Sequence, residues 1–378
     1  MNRPGWILAS SDMEVDVMLL YTPAVFAVGR NYQIMVPVEH ETLLWVRVGN
    51  ETFYDESNGV LRSAKKIHQV VVPMEVLDEA RSYTVYEREI VERKAYNSVT
   101  GIEKSWDFAF RPVTKDHLHI FHVADVHNRA VEAVLASRYA EQIDLLVMNG
   151  DVPEDSSRVE HFYTIYSIAE DITHGSIPIV FARGNHDLRG ALSDQLTDYI
   201  PSDCGKSYYT FRVGSIWGIV LDCGEDKADT HPEYGYTVCC TPFRRHQTEF
   251  IRNVICHADD EYLAEGVETK LVISHNPFVH CDHPPFDIDK DIYSQWIALL
   301  REHVKPQLML SGHTHTIEMH FPNDGWSTNG DLCPVLVGTA PRYQGHLVAN
   351  LISINSGKVS IITRNDAGEL IMENRFDI

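Results

Sequence analysis

Basic residues are scarce in this sequence of 378 residues. Lys and Arg total 32 against 54 for Asp and Glu, which gives a formal net charge of −22 at pH 7. Such a chain repels nucleic-acid backbones and anionic membrane surfaces, so nucleic acids and other long polyanionic partners are disfavoured. An acidic surface also serves solubility alone, and the sign of the charge therefore does not select a substrate.

Cysteine is also sparse and shows no pattern of pairing. The seven cysteines are an odd number, and all of them fall between Cys204 and Cys333. Cys239 and Cys240 are adjacent, which is not the Cys-x-x-Cys spacing of a zinc knuckle. These features predict reduced thiols, as in a cytosolic protein.

Long apolar runs are missing from the start of the sequence. No apolar run of the kind that a secretory signal needs follows Arg3. The most apolar early stretch, residues 15–28, contains Asp16 and Pro23 and is too short to span a bilayer. We therefore expect a cytoplasmic chain with no membrane partner.

The first 112 residues show the alternation of half-buried strands. Apolar side chains recur at every second position in Tyr32, Ile34, Val36 and Val38. No long amphipathic helix is predicted in this part of the chain. We therefore expect residues 1–112 to form an all-β sandwich domain of fibronectin type III or immunoglobulin type.

A short motif inside this region bears on the type of sandwich. Leu77, Glu79 and Tyr83 resemble the tyrosine corner of fibronectin type III domains, in which the phenol bonds back to the preceding backbone turn. The alternative is a strand tyrosine on a packed face. The motif does not decide between the two.

After Pro112 the pattern changes to strands that alternate with helices, which predicts an α/β layer fold over residues 113–378. The predicted strands are residues 118–124, 145–148, 177–182, 216–221, 271–274, 307–310 and 335–337. The predicted helices are residues 129–139, 241–255 and 290–304. Residues 347–378 return to hairpin-like alternation.

Polar, metal-competent residues recur just past the ends of five of these apolar strands. They are Asp125-Val-His127, Asn149-Gly-Asp151, Gly184-Asn-His-Asp187, Ser274-His275-Asn276 and Gly312-His-Thr-His315. The C-terminal ends of strands are where α/β sheets build sites, so we expect these side chains to converge.

The donor types in these motifs suit a pair of cations. Two cations that share an oxygen need a bridging carboxylate, with imidazole and amide ligands to complete each shell without excess charge. Gly150, Gly184 and Gly312 stand beside the motifs and would let the backbone approach the site closely.

The ordered set D-x-H, G-D-x-x-E, G-N-H-D, an isolated His and G-H-x-H resembles the calcineurin-like metallophosphoesterase superfamily. The resemblance covers about the last two-thirds of the chain. It implies a four-layer α/β (α+β) sandwich, with two mixed sheets flanked by helices. The all-β domain ahead of it resembles the layout of purple acid phosphatases.

The resemblance also assigns roles to residues. It implies that Asp125, His127 and His315 bind one metal ion, that Asn185, His275 and His313 bind the other, and that Asp151 bridges them. His186 would lie beside the metals and donate a proton or stabilise phosphoryl charge. Asp187 would orient His186 through its other ring nitrogen.

Two residues depart from the purple acid phosphatases. Those enzymes have a tyrosinate ligand in G-D-x-x-Y, where this chain has Glu154, and D-x-G where this chain has His127. We therefore expect two divalent ions, Mn, Fe(II) or Zn, rather than a coloured ferric centre. Imidazole and carboxylate ligands do not choose among these metals.

The expected function is a dinuclear-metal-dependent hydrolase of phosphate esters, similar to the Ser/Thr phosphatases. The resemblance implies in-line attack on phosphorus by a hydroxide that bridges the two metals. Its substrate would be a phosphorylated small molecule or a phosphoprotein. A phosphodiesterase or nucleotidase of the same superfamily is the alternative, and a non-catalytic metal-binding scaffold is another.

Other polar residues are given ordinary roles. We predict that His117, His119 and His122 are structural, because they lie along or beside a predicted strand. The segment from His280 to Pro285 is predicted to be a proline-stiffened loop near the metals. Arg189 could contact the phosphate of the substrate, and a solvent-exposed side chain without such a role is an equal alternative.

Overall fold

A computed structural model describes residues 19–56, 59, 62–114, 118–281 and 283–378. The expectations for Arg3, Asp16 and His117 lie outside these residues. No helix in the described part of the chain is both long and apolar enough to cross a membrane.

The strands of the described residues are β1 (Ala24–Val28), β2 (Asn31–Pro37), β3 (Thr42–Val48), β4 (Glu51–Tyr54), β5 (Ile67–Pro73), β6 (Ser82–Glu92), β7 (Val99–Thr100), β8 (Lys104–Ala109), β9 (Leu118–Val123), β10 (Leu145–Asn149), β11 (Ile179–Ala182), β12 (Tyr209–Val213), β13 (Ile216–Val220), β14 (Thr269–Ile273), β15 (Leu308–Ser311), β16 (Glu318–His320), β17 (Val335–Val337), β18 (Val348–Asn355), β19 (Lys358–Asn365) and β20 (Leu370–Asp377). The α-helices are α1 (Met74–Ala80), α2 (Ala130–Ser137), α3 (Val159–Thr173), α4 (Cys240–Cys256) and α5 (Lys290–Leu299). A π-helical turn, Leu300–Val304, continues α5.

Two mixed sheets form the centre of the molecule. The larger has nine strands in the order β20-β19-β18-β9-β10-β11-β1-β2-β5, and the smaller has six in the order β12-β13-β14-β15-β17-β16. The strands from β9 to β11 are parallel, and so are those from β13 to β15. Every residue of β10, β11 and β13 is buried, which explains their continuous apolar sequences.

The two sheets pack face to face between two layers of helices. Val147 and Val180 of the larger sheet share one core with Leu271 and Leu310 of the smaller. A second core joins the outer face of the larger sheet to α2 and α3, and a third joins the smaller sheet to α4 and α5. This arrangement confirms the predicted four-layer sandwich.

Strand pairing does not follow the predicted boundary at residue 112. β1 lies parallel to β11, with Phe26 opposite Ile179, and β2 and β5 extend the same nine-stranded sheet. β2 is buried at every residue except Asn31, rather than half-buried, because it lies inside this sheet and is covered on both faces. The other early strands, β3, β4, β6, β7 and β8, form a separate five-stranded sheet.

Tyr83 is a buried strand tyrosine and does not form a tyrosine corner, which decides between the two alternatives that the motif left open. Its hydroxyl donates to the carbonyl oxygen of Gly175, 2.8 Å away and 92 residues later in the chain. The phenol therefore joins β6 to the turn after α3, and not to the preceding backbone turn. The likeness to fibronectin type III domains stays a prediction.

Candidate metal centre

The seven predicted metal ligands converge at one edge of the two sheets. They are Asp125 after β9, His127 in the same loop, Asp151 after β10, Asn185 after β11, His275 after β14, and His313 and His315 after β15. The parallel strands end side by side, so each short loop brings its side chains to the same place. Their roles as ligands stay a prediction.

Left-handed backbone conformations concentrate at these loops. The residues are Asp125, His127, Asp151, His313 and His315, with φ of 52°, 47°, 50°, 72° and 54°. Non-glycine residues adopt this region at an energetic cost, and such strain clusters at functional sites. The left-handed conformation allows Asp125 with His127, and His313 with His315, to turn their side chains towards one centre.

The first group of candidate ligands consists of Asp125, His127 and His315. One potential ligand atom from each lies within 4.8 Å of the others. His315 Nε2 is 3.3 Å from Asp125 Oδ1, and it is also 3.3 Å from His127 Nε2. Two imidazole nitrogens and a buried carboxylate oxygen thus point into one small volume, as a divalent cation requires.

The second group consists of Asp151, His275 and His313, with Asn185 beside them. His275 Nε2 is 3.1 Å from Asp151 Oδ2, and His313 Nδ1 is 2.9 Å from Asn185 Oδ1. His275 Nδ1 donates to the carbonyl oxygen of Asn149 at 2.7 Å. The neutral His275 ring therefore has an unprotonated Nε2 facing the centre, which is how a second partner orients a metal-ligating histidine.

Asp151 belongs to the second group, and its carbonyl oxygen also accepts the backbone N–H of His127 from the first group at 3.0 Å. Its Oδ1 accepts the backbone N–H of His186 at 2.8 Å, and the residue is only 2% exposed. Burial opposes ionisation and is the largest single effect, but protonated His275 and the other histidines nearby together outweigh it and hold the pKa of Asp151 below its usual range. Asp151 is therefore an anion in a position suited to a bridge.

The donor set fits divalent cations. His275 Nε2 is buried and, although it lies 3.1 Å from Asp151 Oδ2, it makes no hydrogen bond of suitable geometry among the described residues. Buried polar atoms without partners are costly, and a cation would satisfy them. Imidazole nitrogen mixed with carboxylate and amide oxygen suits Mn, Fe or Zn.

The glycines beside the motifs allow close packing, as predicted. A Cβ atom on Gly150 would lie 2.5 Å from His275 Nδ1, and one on Gly312 would lie 2.6 Å from Asp125 Oδ2. A Cβ atom on Gly184 would lie 2.9 Å from the Asp151 Cγ and closer still to its backbone nitrogen. Each glycine thus leaves room for a candidate ligand.

The prediction that Asp187 orients the His186 ring is wrong. Asp187 Oδ2 accepts the backbone N–H of Gly184 at 2.6 Å and that of Asp151 at 3.3 Å. Asp187 therefore ties the loops after β10 and β11 together, and burial together with Asp151 raises its pKa to about 7. The His186 ring is held instead by the Glu154 carbonyl oxygen, 2.9 Å from Nδ1.

Asp226, which the loop after β13 brings to the centre, was not among the predicted site residues. Its Oδ2 is 3.5 Å from His313 Nε2. Its Oδ1 accepts from the Tyr234 hydroxyl at 2.9 Å and from Lys227 Nζ at 3.1 Å. The sequence offers no signal for it, because an isolated aspartate in a loop has no motif.

Of the histidines that were predicted to be structural, the structure describes His119 and His122, and both lie outside the centre. His122 is fully buried between the side-chain amides of Asn149 and Asn350, each 3.2 Å from a ring nitrogen. Burial lowers its pKa to about 3. His119 Nδ1 lies 3.0 Å from Asp144. Both contacts are structural, as predicted.

Two clefts open beside the centre. The larger, about 830 Å³, is bordered by Asn185 and His313 at one end and by Phe286 and Trp326 at the other. The smaller, about 640 Å³, is bordered by residues that include His127, Glu154, Arg342 and Tyr343. His280, Cys281 and His283 line the larger cleft, so the proline-stiffened loop does lie near the metal site.

A four-layer sandwich with this donor set at the strand ends defines the class of metallophosphoesterases. Residues 118–316, more than half of the chain, match the family model described as calcineurin-like phosphoesterase. The chain therefore belongs to this family of phosphoric ester hydrolases, whose members use divalent metal ions. Among curated proteins, none matches the sequence.

A comparison with solved structures finds one with the same fold and others that match more weakly. A purple acid phosphatase from yellow lupin (Lupinus luteus) seeds has a TM-score of 0.59 at 13% identity, with 95% of this chain and 75% of that chain covered. A predicted phosphoesterase from Streptococcus pneumoniae has a TM-score of 0.35 at 11% identity, covering 70% and 100%. Vps29 from Entamoeba histolytica, complexed with zinc, has a TM-score of 0.32 at 10% identity, covering 69% and 99%.

Proposed function

We propose that this protein hydrolyses phosphate esters with two divalent cations. One would be held by Asp125, His127 and His315, the other by Asn185, His275 and His313, and Asp151 would bridge them. The observation that carries the proposal is the meeting of these side chains at one edge of the two sheets: six of them form two groups whose potential ligand atoms lie within 4.8 Å of one another, and Asn185 Oδ1 lies 2.9 Å from His313 Nδ1. Cations there would supply an activated water and neutralise phosphoryl charge.

The charge of the site suits a phosphate ester. Asp125 and Asp151 contribute about −2 and two divalent cations about +4, so the occupied centre attracts an anion although the chain is acidic. His186 borders the larger cleft beside Asp151 and Asn185. Its ring would contact the phosphoryl group or the leaving oxygen.

The substrate is proposed to be a phosphorylated small molecule or phosphoprotein, with nucleic acid disfavoured. The larger cleft is far bigger than a phosphate group, so it accepts a sizeable organic part. Two basic side chains are among the described residues that border this cleft, and both are ion-paired. Arg189 pairs with Glu225, and Lys227 pairs with Asp226 and Glu233. Neither side chain is an unpaired positive charge for a second phosphate in this cleft, which favours singly phosphorylated substrates.

Metal-loaded protein is expected to hydrolyse p-nitrophenyl phosphate, and chelation is expected to abolish the turnover. The monoester and its bis(p-nitrophenyl) ester are assayed in parallel, with metal content measured by elemental analysis. A higher kcat/KM on the bis ester would assign the phosphodiesterase alternative. His313→Ala should lose metal and activity, while the exposed His246→Ala should keep both. No turnover of either ester by protein with two bound metals would contradict the proposal and favour a scaffold.

A substrate panel tests the preference for one phosphate. Phenyl phosphate, a nucleoside monophosphate and a phosphoserine peptide are compared with an inositol polyphosphate at matched concentration. We expect kcat/KM of the best singly phosphorylated compound to exceed that of the polyphosphate by about tenfold or more. The carboxylates that line the cleft would repel the additional phosphate groups. The opposite order would show that the acidic lining does not select the substrate.

A further inference from the structure

Arg189 is held rigidly by a buried carboxylate. It follows the 3₁₀ turn His186–Leu188, and its Nε and Nη2 donate to the two oxygens of Glu225 at 2.8 Å each. Glu225 is 1% exposed. The paired hydrogen bonds fix the plane of the guanidinium, so the arginine is not the solvated side chain that the sequence also allowed.

Glu225 is in turn fixed by the buried Arg244 of α4. Arg244 donates to the carbonyl oxygens of Cys223 and Glu225, and its own side chain is fully buried. The backbone N–H of Glu225 donates to Cys240 Sγ at 3.4 Å. The loop that carries Glu225 therefore has little freedom, and the orientation of Arg189 is set by the fold.

The remaining end of the guanidinium contacts His186, beside the candidate metal centre. Arg189 Nη1 donates to His186 Nε2 at 3.3 Å. Because arginine only donates and the Glu154 carbonyl only accepts, the His186 proton must lie on Nδ1. The second Nη1 hydrogen has no partner among the described residues, and both side chains border the larger cleft with Asp151 and Asn185.

We propose that Arg189 Nη1 is an anion-binding donor that contacts the oxygens of the phosphoryl group, next to His186. Glu225 fixes it, but leaves one fork of the guanidinium for the ligand. This proposal rests on the proposed function and adds a residue to it. A donor of this kind, placed before the substrate arrives, binds developing phosphoryl charge without reorganisation.

Calorimetric titration of inorganic phosphate into metal-loaded protein tests the proposal without turnover. Arg189→Met is expected to weaken phosphate binding by about tenfold to a hundredfold, as for loss of a charge-assisted hydrogen bond. Arg189→Lys should recover little, because a lysine cannot keep both the Glu225 pair and the contact. Glu225→Gln should give a smaller loss, and Arg252→Met, an exposed arginine of α4, should bind phosphate like the parent protein.

The outcomes separate this proposal from the proposed function. Unchanged phosphate affinity in Arg189→Met, with parental metal content and Tm, would overturn it and leave Arg189 as a support for His186 alone. Failure of the metal-loaded parent protein to bind phosphate would also overturn it. Phosphate binding that depends on Arg189, in a protein that hydrolyses no ester, would uphold the anion site while the proposed function fails.

Discussion

Replacing Asp151 with asparagine is expected to lower kcat/KM for p-nitrophenyl phosphate by about a thousandfold or more. The change keeps the shape of the side chain and removes one negative charge. Asp151 is buried, lies 3.1 Å from His275 Nε2 and accepts the His186 N–H at 2.8 Å. An amide in this place cannot serve as an anionic bridge, so one or both cations should be lost.

Metal content separates this explanation from misfolding. Elemental analysis of Asp151→Asn should find fewer than two metal ions per chain, while circular dichroism remains that of the parent protein. Asp155→Asn is the matched control, because the Asp155 carboxylate in the same loop bonds Ser157 N–H and lies 2.8 Å from His161. Full activity and full metal content in Asp151→Asn would refute the bridging role.

The strand ends that build the centre could be predicted because of how buried parallel strands are composed. β10 and β11 are covered on both faces, so their sequences are unbroken apolar runs, and the polar residue that follows each run marks the strand end. The glycines beside these strand ends, Gly150, Gly184 and Gly312, could also be predicted to allow the backbone to approach the candidate ligands closely. Convergence of Asp125 and Asp151 then follows from the parallel pairing of β9 with β10, whereas His275 reaches them because the smaller sheet packs face to face on the larger one.

The role of the early strands could not be predicted from alternation. β2 has polar residues at Asn31 and Gln33, which suggest a solvent-facing side, yet Gln33 is buried because its side chain donates to the Ser202 carbonyl oxygen. From the sequence alone, a buried polar residue whose hydrogen bond comes from a distant loop cannot be distinguished from an exposed one. This is why β1, β2 and β5 were expected in a separate domain.

Helix α3 was overlooked although its pattern was present. Phe162, Ile165, Tyr166 and Ala169 are buried at the spacing of one helical face. By contrast, the partners of His186, Arg189 and His313 had no local signal. Glu225, Asp226 and the Glu154 carbonyl reach the centre through tertiary contacts, and such contacts leave no periodic trace.

Gly184→Ala is expected to reduce kcat/KM by about a hundredfold, although only one methyl group is added. The new Cβ would lie 2.9 Å from Asp151 Cγ and closer still to the Asp151 backbone nitrogen. Main-chain atoms cannot rotate away, so the loops after β10 and β11 must separate. A shift of about 1 Å between groups that act together is enough for a loss of this size.

The hydrogen bonds of Asp187 show why the effect should stay local to the centre. Its Oδ2 joins the N–H groups of Gly184 and Asp151, and this link between the two loops would open in the variant. Elemental analysis should therefore find reduced metal occupancy, and the Tm of the metal-loaded variant should fall because less binding energy stabilises the fold.

Gly101→Ala provides the matched control. It adds the same methyl group at a position where the nearest atom is the Glu89 Cβ at 3.4 Å, an ordinary contact, and it lies in the five-stranded sheet region away from the centre. We expect parental activity, metal content and Tm for this variant. If Gly184→Ala also behaved like the parent protein, the loops after β10 and β11 would have to be adjustable, and the close approach of Gly184 to Asp151 would not be what positions the bridge.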